Sequence, residues 1–352
     1  MGGRLSVLLL CFFSAIGLIA GLILRIRANQ GVKNGFSRRV LPTRLLGVNA
    51  INLGNNSYYF AGSSSNAFYL GNYTAPLRLF KTDPALKDTQ TIFLRPPKGA
   101  RMNWPASRIS VDSPEIYLME GNTPLILKWS LQNEIIEKTF SNDLHFTKSL
   151  AITSESFVLR TYDDVARQNI LTRISANAPR LKTSRQSLTK QVDGFFCTDG
   201  QLLFDKAHQH ILYLYYYRNQ IVSLDTNLML LSPIMTIDTD RFAKIIVDSV
   251  PKQRLTTLVS TGSIVNKMAT IFGTHVFVWS AVMADNEDSK QFEVNAIFDS
   301  YSLINGRYEG SFYVPPFRNL KPFGFAFAEK AILGLYQNYL VTYETEDSLF
   351  KK

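Results

Sequence analysis

Cysteine and histidine are scarce in this chain. Cys11 and Cys197 are the two thiols. Cys11 falls inside an apolar run, so no intramolecular disulfide is available to report an oxidising compartment. His145, His208, His210 and His275 are all the histidines, and charged residues make up 19% of the chain. No clustered acid–base set stands out. A phosphate-cradling glycine loop is absent, and so is a nucleophile elbow, because Gly62–Ser65 lacks the flanking glycine and the strand-to-helix context. No catalytic, cofactor-binding or metal-binding residue is therefore assigned, and no cofactor is called for.

Acidic residues are missing altogether from residues 1–44. That stretch carries Arg4, Arg25, Arg27, Lys33, Arg38, Arg39 and Arg44, a charge of +7 within a total of +10. The remainder holds 31 basic and 28 acidic side chains. A nucleic-acid-binding domain would need a concentrated basic face within the fold, so no nucleic-acid partner is expected. Basic residues beside an apolar run instead meet lipid headgroups.

A second long apolar run is also missing, since Phe323–Leu335 is interrupted by Glu329 and Lys330. The first, residues 5–24, has 20 residues without a charge and is bounded by Arg4 and by Arg25 and Arg27. As a helix it spans about 30 Å, the thickness of a bilayer core. It is expected to be an uncleaved N-terminal transmembrane helix, a signal anchor, over residues 1–27. The alternative is a signal peptide cleaved near Ala28, whose apolar region would ordinarily be shorter. A lipoprotein site at Cys11 fails, because Leu8–Leu10 lacks small residues. The positive charges after residue 24 favour a cytoplasmic C-terminal side, but long domains translocate despite charge. The expectation is a single-pass protein of the inner membrane, its soluble domain periplasmic.

Residues 28–44, with Gly31, Gly35 and Pro42, read as a basic tether. From residue 45 to 348 the texture is short runs of Tyr, Phe, Val, Ile and Leu separated by turn residues, which is all-β. Arg241–Val250 is the one segment there with the pattern of a short helix. Tyr69–Leu77 resembles Tyr117–Leu125: each is an apolar strand, a Gly-Asn turn, then Thr and Pro leading into a second strand, Leu77–Phe80 or Leu125–Trp129. Weaker copies pair Phe157–Arg160 with Asn169–Ile174, Ile211–Tyr217 with Ile221–Asp225, Val276–Trp279 with Ala296–Tyr301, and Ala331–Leu335 with Tyr339–Tyr343. With Tyr69, Tyr117, Val158, Tyr213, Phe277 and Leu333 as matching points, the spacings are 48, 41, 55, 64 and 56. Such periods indicate propeller blades with loop insertions, the largest between the fourth and fifth units. The expected architecture is a six-bladed β-propeller with irregular blades, Ser57–Ala61 completing the last sheet. Forty Phe and Tyr suit interfaces between stacked sheets. An irregular β-sandwich is the alternative.

The Tyr69–Asn72 and Gly121–Leu125 elements, Cys197–Gly200, Tyr217–Gln220 and the Ala284–Asp288 loop resemble those of membrane-anchored β-propeller-like proteins of Gram-negative bacterial envelopes. The likeness runs over nearly the whole chain. It implies an exported propeller and brings no activity with it.

Among candidate chemical groups, His208 and His210 share one strand face but lack a third ligand, and read as turn histidines. Cys197 sits in apolar sequence and reads as a buried thiol rather than a nucleophile. Asp285–Asp288 lacks the alternate ligands of a calcium loop and reads as a solvated turn, as do Asp163–Asp164 and Asp238–Asp240. Two functions remain. One is a non-enzymatic, membrane-tethered binding or scaffold module, held through residues 5–24 and presenting a propeller surface to a partner protein or envelope ligand. The other is a carbohydrate-active hydrolase or lyase using loop carboxylates, which would show as two carboxylates about 5–10 Å apart at the channel mouth.

Overall fold

The computed structural model describes residues 10, 12–22, 33–42, 45–97, 99, 101–131, 136–141, 143–250, 255–260 and 262–345. Its strands form successive four-stranded antiparallel meanders over residues 58–93, 108–141, 148–184, 200–235, 266–314 and 324–345, the last completed by Leu45–Asn52. Consecutive strands pair within each meander, most of them across short turns. Asn72, for example, accepts the backbone N–H of Thr74 and Ala75 at 2.9 Å, closing the turn that the sequence writes as Gly-Asn.

The first strand of each meander lies innermost. Tyr58–Ser63 touches Arg108–Asp112, which touches Lys148–Thr153, then Gly200–Asp205, then Asn266–Phe272, then Gly324–Ala328, which returns to Tyr58–Ser63. That circuit is closed. Gly62 bridges Val111 in parallel, and a Cβ there would stand 2.1 Å from the Val111 carbonyl oxygen. Only glycine permits so close an approach.

The core repeats the circuit. Every large apolar cluster draws from two neighbouring meanders. Tyr69 and Leu79 meet Leu118 and Trp129; Tyr117 and Met119 meet Phe157 and Leu159; Val158 and Leu171 meet Ile211 and Tyr213. Leu212 and Leu214 meet Val276 and Val278, Phe277 and Phe298 meet Phe325 and Phe327, and Leu333 and Leu335 meet Tyr58 and Leu70. Each second strand thus buries alternate residues against opposite neighbours. A sandwich strand would leave one face in water. This is a β-propeller.

The matching points Tyr69, Tyr117, Val158, Tyr213, Phe277 and Leu333 all fall in second strands. The long insertion between the fourth and fifth units contains a two-stranded hairpin, Ile246–Val250 with Leu255–Ser260. Two expectations are corrected. The strand that completes the last sheet is Leu45–Asn52, paired with Tyr339–Thr345, whereas Ser57–Ala61 overlaps the innermost strand of the first meander. Residues 246–250 are strand, not helix, because Ile246 and Val247 pair with Ser260 and Leu258.

At the N-terminus, residues 12–22 are helical with exposed side chains; the rest of the expected 5–24 helix, apart from Leu10, lies outside the described residues. Among the described residues no helix is long and apolar enough to cross a membrane. The second half of the expected tether is docked on the propeller. Val40 bridges Ser311 of the outer strand Tyr308–Val314. Asn34 N–H donates to Asp285 Oδ1 at 2.6 Å. The Arg38 guanidinium is buried, donating to Asp299 at 2.8 and 3.1 Å and to Ser280 Oγ at 2.7 Å, and it forms an ion pair with Glu287.

Candidate functional site

Because the innermost strands run the same way around the ring, one end of the propeller collects all their starts. The loops between successive meanders and between second and third strands gather at this leading face. Arg108 and Lys148 begin two innermost strands, and Lys267 is the second residue of another. A cleft of about 430 Å³ opens between neighbouring meanders there, lined by Arg108, Met119, Glu120, Phe146, Lys148 and Gln201 among others.

Cations stand over aromatic rings on this face. The Arg108 guanidinium lies 4.3 Å from the Tyr73 ring centre, Lys148 Nζ 5.6 Å from that of Tyr216, and Lys267 Nζ 4.5 Å from that of Trp279. Burial pushes the Lys148 ammonium down; Asp199, 4.0 Å away, opposes this and Arg160 reinforces it. Burial also lowers Lys267, and Lys321 adds to that shift. The Tyr216 hydroxyl is pushed up to about 12 by burial and by Asp199.

Carboxylates at this mouth are already engaged. Asp199 accepts from Arg160 and from the Gly200 N–H at 2.8 Å. Arg160 is itself fixed by Tyr213 Oη at 3.0 Å and Thr147 Oγ1 at 2.8 Å. Glu120 accepts the N–H groups of Asn122 at 2.6 Å and Thr123 at 2.8 Å, and the Thr123 hydroxyl. Burial works against its charge, but these hydrogen bonds outweigh it and hold the carboxyl below its ordinary value. The chemistry on offer is cationic and aromatic. It suits an anionic or oxygen-rich ligand better than paired acid–base work.

The residues singled out in the sequence do not converge here. His208 Nδ1 is paired with Asp205 at 2.7 Å in the turn before His210; His275 Nε2 meets Glu309 at 2.7 Å. Cys197 is fully buried, its thiol donating to the Asp193 carbonyl at 2.6 Å. Asp163 caps its turn and pairs with Arg185, and Asp238 is buried. Among the described residues no three His, Cys, Asp or Glu side chains form a metal site. The Asp285–Asp288 stretch is not simply a solvated turn. Asp285 and Asn286 hold the backbone of residues 34–38, Glu287 pairs with buried Arg38, and Asp288 caps the short helix Ser289–Val294.

Arg108, Lys148 and Lys267 were not anticipated. A signal existed: each lies nine or ten residues before a matching point, Tyr117, Val158 or Phe277.

No family model matches the chain, and no curated protein matches it in sequence. Solved structures do. A member of the DUF4221 family from Bacteroides vulgatus is 12% identical with a TM-score of 0.57, over 88% of this chain and 99% of that one. The β-propeller domain of Swd1 from Myceliophteria thermophila is 9% identical with a TM-score of 0.46, over 85% and 100%. A virginiamycin B lyase from Staphylococcus aureus is 12% identical with a TM-score of 0.47, over 85% and 99%. These likenesses concern the fold alone.

Proposed function

We propose that this chain is a six-bladed propeller, tethered to a membrane through residues 5–24, that acts as a non-enzymatic binding or scaffold module. Six four-stranded meanders, the last closed by Leu45–Asn52, support that count. The observation that carries the binding reading is the leading-face cleft, where exposed Arg108 and half-buried Lys148 stand beside aromatic rings while Asp199 and Glu120 are occupied. Its ligand is an anionic group on a partner protein or envelope component. The apolar run and its basic flank support a single-pass location in the inner membrane, with the propeller on the periplasmic side.

The test uses the full chain with a polyglutamate peptide, dextran sulfate and neutral polysaccharides as probes, and scores both binding and chain length. The acidic probes should bind and be recovered uncut, and Arg108→Ala with Lys148→Ala should weaken that binding. Cleavage of a polysaccharide that disappears in Asp199→Asn would replace this reading with the hydrolase or lyase. For location, a periplasm-dependent reporter fused after Lys352 should be active; a silent one puts the propeller in the cytoplasm.

A further inference from the structure

The docked N-terminal segment joins the propeller at one end. Asn34 is held by the Met283 carbonyl, which accepts from Nδ2 at 2.8 Å, by Asp285, and by Thr239 Oγ1, which donates to its carbonyl at 2.7 Å. Residues 281–288 join second and third strands, and Thr239 lies in a loop between meanders, so all these contacts are on the leading face. Nine residues, 25–33, separate Leu24 from Asn34. Fully extended, they reach about 30 Å, at 3.3–3.6 Å each. An apolar segment seated in a bilayer is therefore joined to the propeller at its leading face, the end that the attachment brings nearest to the headgroups.

The surface chemistry of that face agrees. Its loops expose Val192, Phe195, Phe242, Ile246, Val259 and Phe323, with Phe242 at 72% and Val259 at 63% exposure. Lys190, Arg241, Lys267 and Lys321 are exposed among them. Apolar side chains interleaved with Lys and Arg are the pattern that seats a surface at the headgroup–acyl boundary of an anionic membrane. The opposite end also exposes apolar side chains, among them Met229, Leu230 and Ile304, but a cleft of about 810 Å³ there is bordered by Asp83, Asp88, Glu329 and Glu344 as well as Lys81 and Lys330.

We propose that the leading face is a second lipid contact, lying on an anionic membrane surface with Phe195, Phe242, Ile246 and Val259 at the headgroup level and Lys267 and Lys321 facing lipid phosphates. The proposal rests on the tethering reading and narrows the ligand of the mouth to an anionic headgroup.

The experiment uses the full chain carrying Cys11→Ser, with an environment-sensitive fluorophore on Phe242→Cys or, at the opposite end, on Ile304→Cys, a position 71% exposed. Buried Cys197 is left in place. The labelled protein is floated with vesicles of phosphatidylcholine, alone or mixed with phosphatidylglycerol. On the mixed vesicles the probe at 242 should shift to the blue while the probe at 304 stays aqueous. Lys267→Glu with Lys321→Glu should weaken the 242 contact about five-fold or more per position. Vesicle-bound protein with an aqueous probe at 242 overturns this proposal and leaves the anchor intact. Failure to float at all overturns both. A shift of equal size on phosphatidylcholine alone overturns the assignment to anionic lipid.

Discussion

Asp238 is a carboxylate with little water around it. Its two oxygens accept from the Thr236 hydroxyl at 2.6 Å and the Asp240 N–H at 3.1 Å, and burial pushes the group up to about 6 despite them. In the unfolded chain it ionises near its ordinary value of about 4. Between those limits the native state holds the extra proton. The contribution to stability is therefore complete below about pH 4 and is lost as pH rises through about 6. The difference corresponds to about 3 kcal/mol. Asp238→Asn, which keeps one oxygen acceptor, should gain up to that amount relative to the native chain between about pH 4 and pH 7, measured by denaturant unfolding at both. Equal offsets at the two pH values would mean that the carboxyl is not desolvated as described. Nothing in the local sequence announced this, because Asp238 and Asp240 look alike there. The same limit hid the role of Glu287, whose partner Arg38 lies 249 positions away.

At the scale of the element, His210–Tyr215 shows how a blade strand is used. Leu214 packs with Ala269, Val276 and Val278 on one side, while Tyr213 packs with Val158 and Leu171 on the other and donates its hydroxyl to the Thr198 carbonyl at 2.7 Å. Leu214→Ala and Tyr213→Ala should each cost about 2–5 kcal/mol in denaturant unfolding. A neutral result for either would expose that face to water and contradict the stacking of the sheets. This two-sided burial is also why the second and third strands were legible: both faces must be apolar, so each reads as an unbroken run. Innermost strands such as Arg108–Asp112 mix charged and apolar residues around the channel and give no such run. Leu45–Asn52 is an outer strand with exposed Leu46 and Val48, and it lies at the far end of the sequence from its partner Tyr339–Thr345, so nothing local marked it as the strand that closes the last sheet. Val247 and Leu258 pair across two short strands, and over so short a span a strand's apolar residues mimic a helical period.

At the scale of the whole molecule, the basic N-terminal segment is part of the propeller's own stability. A tether would contribute no stability. The structure instead sinks Arg38 between Asp299 and Glu287, with Arg38 4% and Asp299 2% exposed. Burial disfavours the guanidinium, yet the two carboxylates outweigh that cost and hold its pKa above the ordinary value. Burial pushes Asp299 upward, and Arg38 is the main opposing influence. Removing the cation leaves two carboxylates without their counter-charge. Such uncompensated burial costs about 3–5 kcal/mol, more than any exposed ion pair supplies. Arg38→Ala should therefore lower the denaturant midpoint of the entire propeller and speed amide exchange both at residues 34–41 and in the paired strands 296–302 and 308–314. Exchange that rises only at 34–41, with the midpoint unchanged, would show that the segment merely rests on the ring. The proposed seating of the leading face on a membrane would then lose the attachment on which it is argued.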